Sequence, residues 1–296
     1  MITKDNSIIE KLASALDKST HDLLNLDTKV IASEFLSKDR AIEQIELFKM
    51  IVSSHNTKYL FKEKKLLEIG AGVGTLLIVA REKYGIEAFG VDSSNNEFSS
   101  FNEISSVLLE EYNLPKDLVV NGEAEHLPFP DCSFDLIYSA NVLEHVKDPQ
   151  KVFSEAIRAL KPGGYLQFVI PNYFSFWEGH YGIFWPCITN KFIAKLYIKL
   201  LLKNPSYIDT LQLISPFYLM EILRSFGKQI KVIDWGKETF KKRLETGDYS
   251  DWATLRKIRP LVKLVQNLKI STLIASVLNI CAMQTPIVLT LKKRNN

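Results

Sequence analysis

The chain has 296 residues, 46% of them hydrophobic and 24% charged, with a net charge of +3. Shares of this size exclude a disordered tail, a collagen-like repeat and a disulfide-stapled miniprotein, and the length suffices for one large core with an appended lid. The three cysteines, Cys132, Cys187 and Cys281, are scattered and form no C-x-x-C pair, which fits a reducing compartment and speaks against a cysteine zinc site. The opening residues carry no apolar signal segment, and the longest apolar stretch, 270–283, is too short for a bilayer-spanning helix, so a cytoplasmic protein is the expectation. Charge is unevenly divided. Residues 1–172 hold 18 Lys and Arg against 26 Asp and Glu, a balance of −8, whereas residues 173–296 hold 19 against 8, a balance of +11. The two parts face different partners.

In chain order, KKLLEIG (64–70) reads as a strand, followed by glycines and the helical pattern TLLIVAREKYG (75–85). AFGVD (88–92) is a second strand, residues 97–113 carry a helical pattern, and LVVNGEAE (118–125) is a third strand. FDLIYSA (134–140) is the fourth. Residues 148–160 form a helix with an Asp cap and a first-turn proline, ending in K-P-G-G, and YLQFVIP (165–171) is the fifth strand. This alternation predicts an α/β fold, a doubly wound, mostly parallel sheet with the ligand above the carboxyl ends of its strands. After residue 171 the alternation stops. SPFYLMEILRSFG (215–227) is a capped helix, KVIDW (231–235) and PIVLTLKK (286–293) are strands, and the pattern over 252–283 is mostly helical. The predicted organisation is an N-terminal helical segment (1–60), an α/β core (61–172) and an aromatic and basic lid insertion (173–214). A C-terminal end of the sheet (215–296) carries a second helical insertion (236–285).

Glu68, Gly70, Gly72 and Gly74 lie at a strand-to-helix turn, where glycine lets backbone amides approach a ligand closely. The G-x-G-x-x-G dinucleotide spacing would require glycine where the chain has Thr75. Asp92 ends the next strand about twenty residues on, where an acid accepts both hydroxyls of a ribose. Glu123 adds a second acid beside the same crevice, suited to an exocyclic adenine amine.

The stretches LLEIGAGVGT, GVDSSNNE and NGEAEHLPFPDCSFDLIYSANVLEHVKDPQKVFSEAIRALKPGGYLQFVIPN resemble the class I S-adenosylmethionine (SAM)-dependent methyltransferases. Within them they resemble the type 11 small-molecule branch, which includes ubiquinone/menaquinone-biosynthesis-like members. The resemblance covers about residues 64–172 and implies a Rossmann-like, seven-stranded sheet with helical lid insertions, binding SAM and releasing S-adenosylhomocysteine. It also implies roles. Gly70, Ala71, Gly72 and Gly74 would cradle the methionine portion and ribose, with Glu68 anchoring the turn or the amino group. Asp92 would take the ribose diol with Ser93 beside the adenine, Glu123 and Ala124 would hold the adenine edge, and Asn141 would lie near the methionine carboxylate or the transferring methyl. The family more often has Asp where this chain has Glu123. The Asn/Asp-Pro-Pro-Tyr motif of amino-directed DNA and protein enzymes is replaced by Ser139-Ala140-Asn141-Val142, which disfavours adenine and glutamine acceptors.

A methyl transfer to a hydroxyl benefits from a base of near-neutral pKa, which makes histidine the candidate. His145, in Leu143-Glu144-His145, starts the helix after the fourth strand, on the rim of the crevice. His180 sits with Glu178 on a Gly-interrupted aromatic loop after the fifth. These two are the candidate catalytic residues, each against the alternative of a packing residue, whereas His21, His55 and His126 read as surface or packing positions. No His, Asp or Glu cluster has metal-ligand spacing, so no metal is expected. Lys191, Lys195, Lys199 and Lys203 recur at four-residue steps on an apolar helix over 190–203, and Arg256, Lys257, Arg259, Lys263 and Lys269 repeat the flavour. Such helices either pack on the core with their lysines in water or lie on an anionic membrane surface.

The expected function is methyl transfer to a small-molecule, lipid-linked or glycan-linked acceptor, at oxygen. The alternatives are C- or N-methylation of a quinone-like ring or amine, and a non-catalytic SAM-binding protein at a membrane. Nucleic acid is disfavoured, because the aromatics of 173–185 are not interleaved with arginines. An NAD-dependent oxidoreductase is disfavoured by Thr75 and by the lack of a Tyr-x-x-x-Lys pair after the fourth strand.

Overall fold

A computed structural model of the chain describes residues 1–3, 5–20, 27–93, 99–247 and 258–295. Three helices open it: α1 (Asn6–Thr20), α2 (Thr28–Phe35) and α3 (Lys38–His55). Strands and helices then alternate through β1 (Lys65–Ile69), α4 (Thr75–Tyr84), β2 (Glu87–Asp92), α5 (Ser99–Glu111), β3 (Val119–Asn121), β4 (Phe134–Ala140), α6 (Pro149–Ala159) and β5 (Leu160–Ile170). A short hairpin, β6 (Trp177–Glu178) and β7 (Ile183–Phe184), leads to α7 (Lys191–Leu200), α8 (Pro216–Ser225) and β8 (Ile230–Asp234). Next come α9 (Lys237–Thr246), α10 (Arg259–Asn267) and α11 (Ser271–Ile280), and β9 (Ile287–Lys293) closes the fold.

Seven strands form one sheet in the order β3-β2-β1-β4-β5-β9-β8, parallel from β3 to β5, with β9 antiparallel to both neighbours. Side chains alternate across it. Leu66, Leu136, Tyr138 and Tyr165 face Phe48 of α3 and Leu77 of α4, whereas Leu67, Ile137, Leu166 and Phe168 face Phe153 of α6 and Leu219 of α8. Both faces are thus buried, which is why the central strands read as nearly continuous apolar runs. The strand order reverses between β1 and β4, and the crevice at that reversal lies beyond their carboxyl ends.

Four expectations need correction. The helix expected to start at His145 is absent there: residues 143–145 form a turn and α6 begins at Pro149. The third strand covers only Val119–Asn121, because Gly122 turns the chain out of the sheet and residues 123–126 close a turn through the His126 amide on the Glu123 carbonyl (3.0 Å). The fifth strand begins at Leu160, so the Lys-Pro-Gly-Gly stretch lies inside it at an irregular start where Phe134 pairs with Leu160 and Leu136 with Tyr165. The basic helix expected over 190–203 ends at Leu200, before a left-handed Leu202 (φ 56°), so Lys203 lies beyond it. The part of the predicted second insertion over 248–257, with Arg256 and Lys257, lies outside the described residues, as does His21.

Candidate active site

The turn after β1 is built from three glycines with positive φ, Gly70 (76°), Gly72 (52°) and Gly74 (78°), a conformation that costs a residue with a Cβ. At Gly70 the constraint is also steric, since a Cβ there would lie 2.1 Å from Val142 Cγ2. The amides of this turn are engaged within the protein. Those of Gly70 and Ala71 donate to the Val91 carbonyl (2.8 and 3.1 Å), that of Gly74 to Ala71 (2.9 Å), and that of Gly72 to Asp92 Oδ2 (2.5 Å). The turn therefore brings the backbone close to β2 and fixes the Asp92 carboxylate at the end of that strand. Thr75, where a dinucleotide fingerprint would have glycine, donates its hydroxyl to the Phe35 carbonyl (2.7 Å) and ties the end of α2 across the turn.

Two carboxylates flank this turn. Glu68 is buried, with Oε2 lacking a hydrogen-bond partner among the described residues. Burial lifts its pKa well above the carboxylate range, and the nearby Asp92 adds to the effect. Burial likewise pushes Asp92 up to about 6, against hydrogen bonds from the Gly72 and Ser93 amides. Asn141, at the end of β4, is left-handed (φ 56°), donates its amide to the Val169 carbonyl (2.9 Å) and has a buried Oδ1 without a partner. Glu123 lies two residues past the Asp92–Asn121 register pair, half exposed and 4.0 Å from His126 Nδ1, and Ala124 packs on the sheet's core.

A second group of side chains gathers next to Val142. His145 and His180, 35 positions apart, stand edge to face with ring centroids 5.4 Å apart. His180 is largely buried, and its Nδ1 lies 2.7 Å from Glu178 Oε1. That carboxylate is itself held by the amides of His180 (3.2 Å) and Tyr181 (2.7 Å). Glu144 is fully buried with neither oxygen hydrogen-bonded beyond its own backbone, and burial raises its pKa to about 7 while His180 opposes the rise. Although burial disfavours the charged imidazole of His180, Glu178 and then Glu144 more than offset it, so its pKa is raised. Desolvation and the neighbouring His180 lower that of His145.

Glu144 was not legible as a functional residue. Its one signal is an acid in the apolar run Val142-Leu143-Glu144, and the contact that gives it meaning comes from a distant loop. The same folding brings ligating atoms of Glu144, His145 and His180 within 4.8 Å of one another, a cluster that sequence spacing could not reveal. His55 contacts the Tyr165 hydroxyl (3.2 Å), and His126 is exposed beside Glu123.

Residues 67–168 match the family described as methyltransferase domain, type 11. They are a class I SAM-dependent methyltransferase domain. The chain is 34% identical over 102 residues to norajmaline N-methyltransferase of Rauvolfia serpentina, covering 34% of each protein. It is 32% identical over 148 residues to demethylmenaquinone methyltransferase of Geobacillus stearothermophilus, covering 48% of this chain and 59% of that protein. It thus spans less than two thirds of either relative. Among solved structures it is similar in fold to phosphoethanolamine N-methyltransferase 2 of Haemonchus contortus, determined with phosphomonomethylethanolamine and S-adenosylhomocysteine, with a TM-score of 0.52 and 19% identity. That likeness covers 96% of this chain and 60% of that one.

The methyltransferase domain's residues fit its cofactor. SAM carries an ammonium group, a sulfonium and a ribose diol. Two buried carboxylates with raised pKa, and the unpartnered acceptor of Asn141, sit where such donors and positive charge would return both acids to their charged forms. Glu68, the glycine turn and Asp92 surround one crevice at the carboxyl ends of β1 and β2, and Asn141 closes it from β4.

Proposed function

We propose that the chain transfers a methyl group from SAM to a hydroxyl of a small, lipid-linked or glycan-linked acceptor, with His180 as the general base. The observation that carries this reading is the Glu178–His180 contact of 2.7 Å. With Nδ1 donating to Glu178 Oε1, Nε2 holds the lone pair that can accept an acceptor's proton. SAM supplies an electrophilic methyl on sulfonium sulfur. His180 Nε2 would take the proton of the acceptor hydroxyl as its oxygen is methylated. The chain's remaining work is alignment and exclusion of water. Val142 packs against Gly70 and leads directly into Glu144 and His145, which links the cofactor turn to the histidines through three residues of chain.

A second reading, an amine acceptor, is favoured by Glu144, whose buried carboxylate beside the imidazoles would stabilise a cationic amine, and by the N-methyltransferases among the relatives. The test begins with calorimetric titration of the purified chain with SAM, S-adenosylhomocysteine and NAD. Labelled SAM is then offered with matched hydroxyl and amine acceptors. Micromolar binding of the first two ligands, and label in the hydroxyl product, is the expected result. Label only in the amine establishes the second reading, and no adenosyl binding by folded protein overturns both.

A further inference from the structure

Two helical stretches that follow the methyltransferase domain, α7 and the α10–α11 pair, leave rows of aliphatic side chains exposed. In α11 the buried positions are Ser271, Ala275 and Asn279, and the exposed ones include Leu273 (64%), Val277 (50%) and Ile280 (82%). At 100° per residue these form opposite faces, and although Ile274 and Leu278 pack inward beside them, the helix turns the aliphatic row of Leu273, Val277 and Ile280 outward. α10 exposes Leu261 and Leu264, followed by Leu268. Together α10 and α11 reach the length and hydropathy of a membrane span, but the chain bends by 116° between them.

α7 shows the same design with charge added. It is held to the protein by Ala194 and Ile198, and exposes Phe192 (70%), Ile193, Leu196 and Leu200, continued by Leu202. On the helical wheel Lys191, Lys195 and Lys199 occupy the edge between the buried and the exposed apolar faces. Lys195 pairs with Asp209 (2.6 Å), whereas Lys199 and Lys203 form no ion pair among the described residues. On α10, Arg259 and Lys263 lie on the side away from Leu261 and Leu268, and Lys269 follows the helix.

These helices flank the loop that carries the proposed base. Tyr173 and Trp185 join the apolar cluster under α7, and Phe176 and Trp177, from the same loop, join the cluster under α9 to α11. Burial, and then Cys281 after the end of α11, raise the pKa of Cys187, three residues before the α7 cap.

We propose that α7 and the α10–α11 pair form one membrane-docking face that lies in the interface of an anionic bilayer, so that the acceptor reaches Glu178 and His180 from the lipid. This rests on the methyltransferase reading and narrows its acceptor to a lipid-linked one. Charge selects the occupant. A face bordered by lysines, in a segment with a balance of +11, complements anionic headgroups, whereas a second copy of the chain would oppose like charges. The exposed aliphatic side chains supply the insertion, and lysines at the edge reach the headgroups while their stems stay in apolar surroundings.

The experiment is co-sedimentation of the full chain with vesicles of phosphatidylcholine, alone or mixed with phosphatidylglycerol, across a salt series. Binding to the mixed vesicles, weakened by salt, is expected. Lys199→Gln and Lys203→Gln should each weaken it about fivefold, and Leu200→Ser and Ile280→Ser about tenfold each. All four positions lie outside the cofactor crevice, so SAM affinity, measured by calorimetry on the same proteins, should stay unchanged and reports that each variant is folded. Failure to bind mixed vesicles by a chain that binds SAM overturns the docking face and leaves the methyltransferase reading standing. Concentration-dependent self-association that Leu200→Ser abolishes, without vesicle binding, assigns the face to a second copy and overturns the proposal. Vesicle binding by a folded chain without SAM affinity upholds the face and overturns the catalytic reading.

Discussion

Alanine at position 70 would place a methyl group 2.1 Å from Val142 Cγ2, 3.3 Å from its Cβ and 3.4 Å from its Cγ1, on a residue whose φ is +76°. Two separable costs follow. The left-handed backbone costs an alanine about 1–2 kcal/mol, and the overlap forces Val142 off its position at about 1–3 kcal/mol. Gly70→Ala should therefore destabilise the protein by about 2–5 kcal/mol. In a Val142→Ala background both methyl groups of the valine are gone and the nearest remaining atom is its Cβ, so only the backbone cost should persist. Urea unfolding of the wild type, the two single variants and the double variant gives the coupling directly, expected at about 1–3 kcal/mol with the double variant more stable than additivity predicts. Additivity within about 0.5 kcal/mol would refute the packing of Val142 on the glycine turn. It would also remove the physical link drawn above between the cofactor crevice and the histidines.

The other predictions bear on the chemistry. Asp92→Ala should weaken SAM binding by about 1–3 kcal/mol in calorimetry, through loss of the acceptor for the ribose diol, and unchanged affinity in a folded variant would sink that assignment. His180→Ala should lower turnover by about 10²–10⁴-fold with SAM affinity retained, and His145→Ala by much less, because its lowered pKa and lack of a hydrogen-bonded carboxylate make it the weaker base. Equal losses would reverse that ranking. Glu144→Gln should move the acid limb of the kcat/KM profile to lower pH by about one unit. The sign follows from Glu144 raising the pKa of His180, so that removing the carboxylate lets the base stay neutral to lower pH; a limb that does not move, or moves up, contradicts the coupling.

The core of the fold was legible because buried parallel strands leave unbroken apolar runs, and the helices between them end at visible caps. Asp148 before Pro149 and Ser215 before Pro216 both accept hydrogen bonds from amides of the first turn. Asp92 was legible for a similar reason, since an acid at a strand end stands out against its neighbours. What stayed hidden depends on contacts between distant segments. The short third strand is set by Gly122, whose amide goes to the Asp92 carbonyl (3.0 Å), and nothing in LVVNGEAE distinguishes this from a longer strand. His145 reads from the sequence as a rim residue at a helix start, whereas it lies in a turn ahead of α6, and the buried Glu144 beside it neighbours His180 and Tyr173 from the loop after β5. The exposed aliphatic row of α11 was equally hidden, because a periodic pattern shows two faces without showing which of them packs.

The charge division acquires a structural meaning at one strip of backbone. The acidic part of the chain carries the buried carboxylates that suit a cationic cofactor, and the basic part carries the exposed helices. Besides the β5–β9 ladder, the two meet where Gln212, in the stretch between α7 and α8, donates its amide to the Glu144 carbonyl (2.6 Å) and its side chain to the carbonyl of Val146 (3.1 Å). Gln212 thus clamps the segment that holds Glu144 and His145, and that segment in turn packs on Gly70. A displacement of α7 on a bilayer would therefore pull on the segment that aligns acceptor with cofactor. Gln212→Ala should then lower turnover on a vesicle-borne acceptor while leaving SAM affinity in solution unchanged, and a parallel loss of SAM affinity would show instead that the clamp serves the cofactor crevice alone.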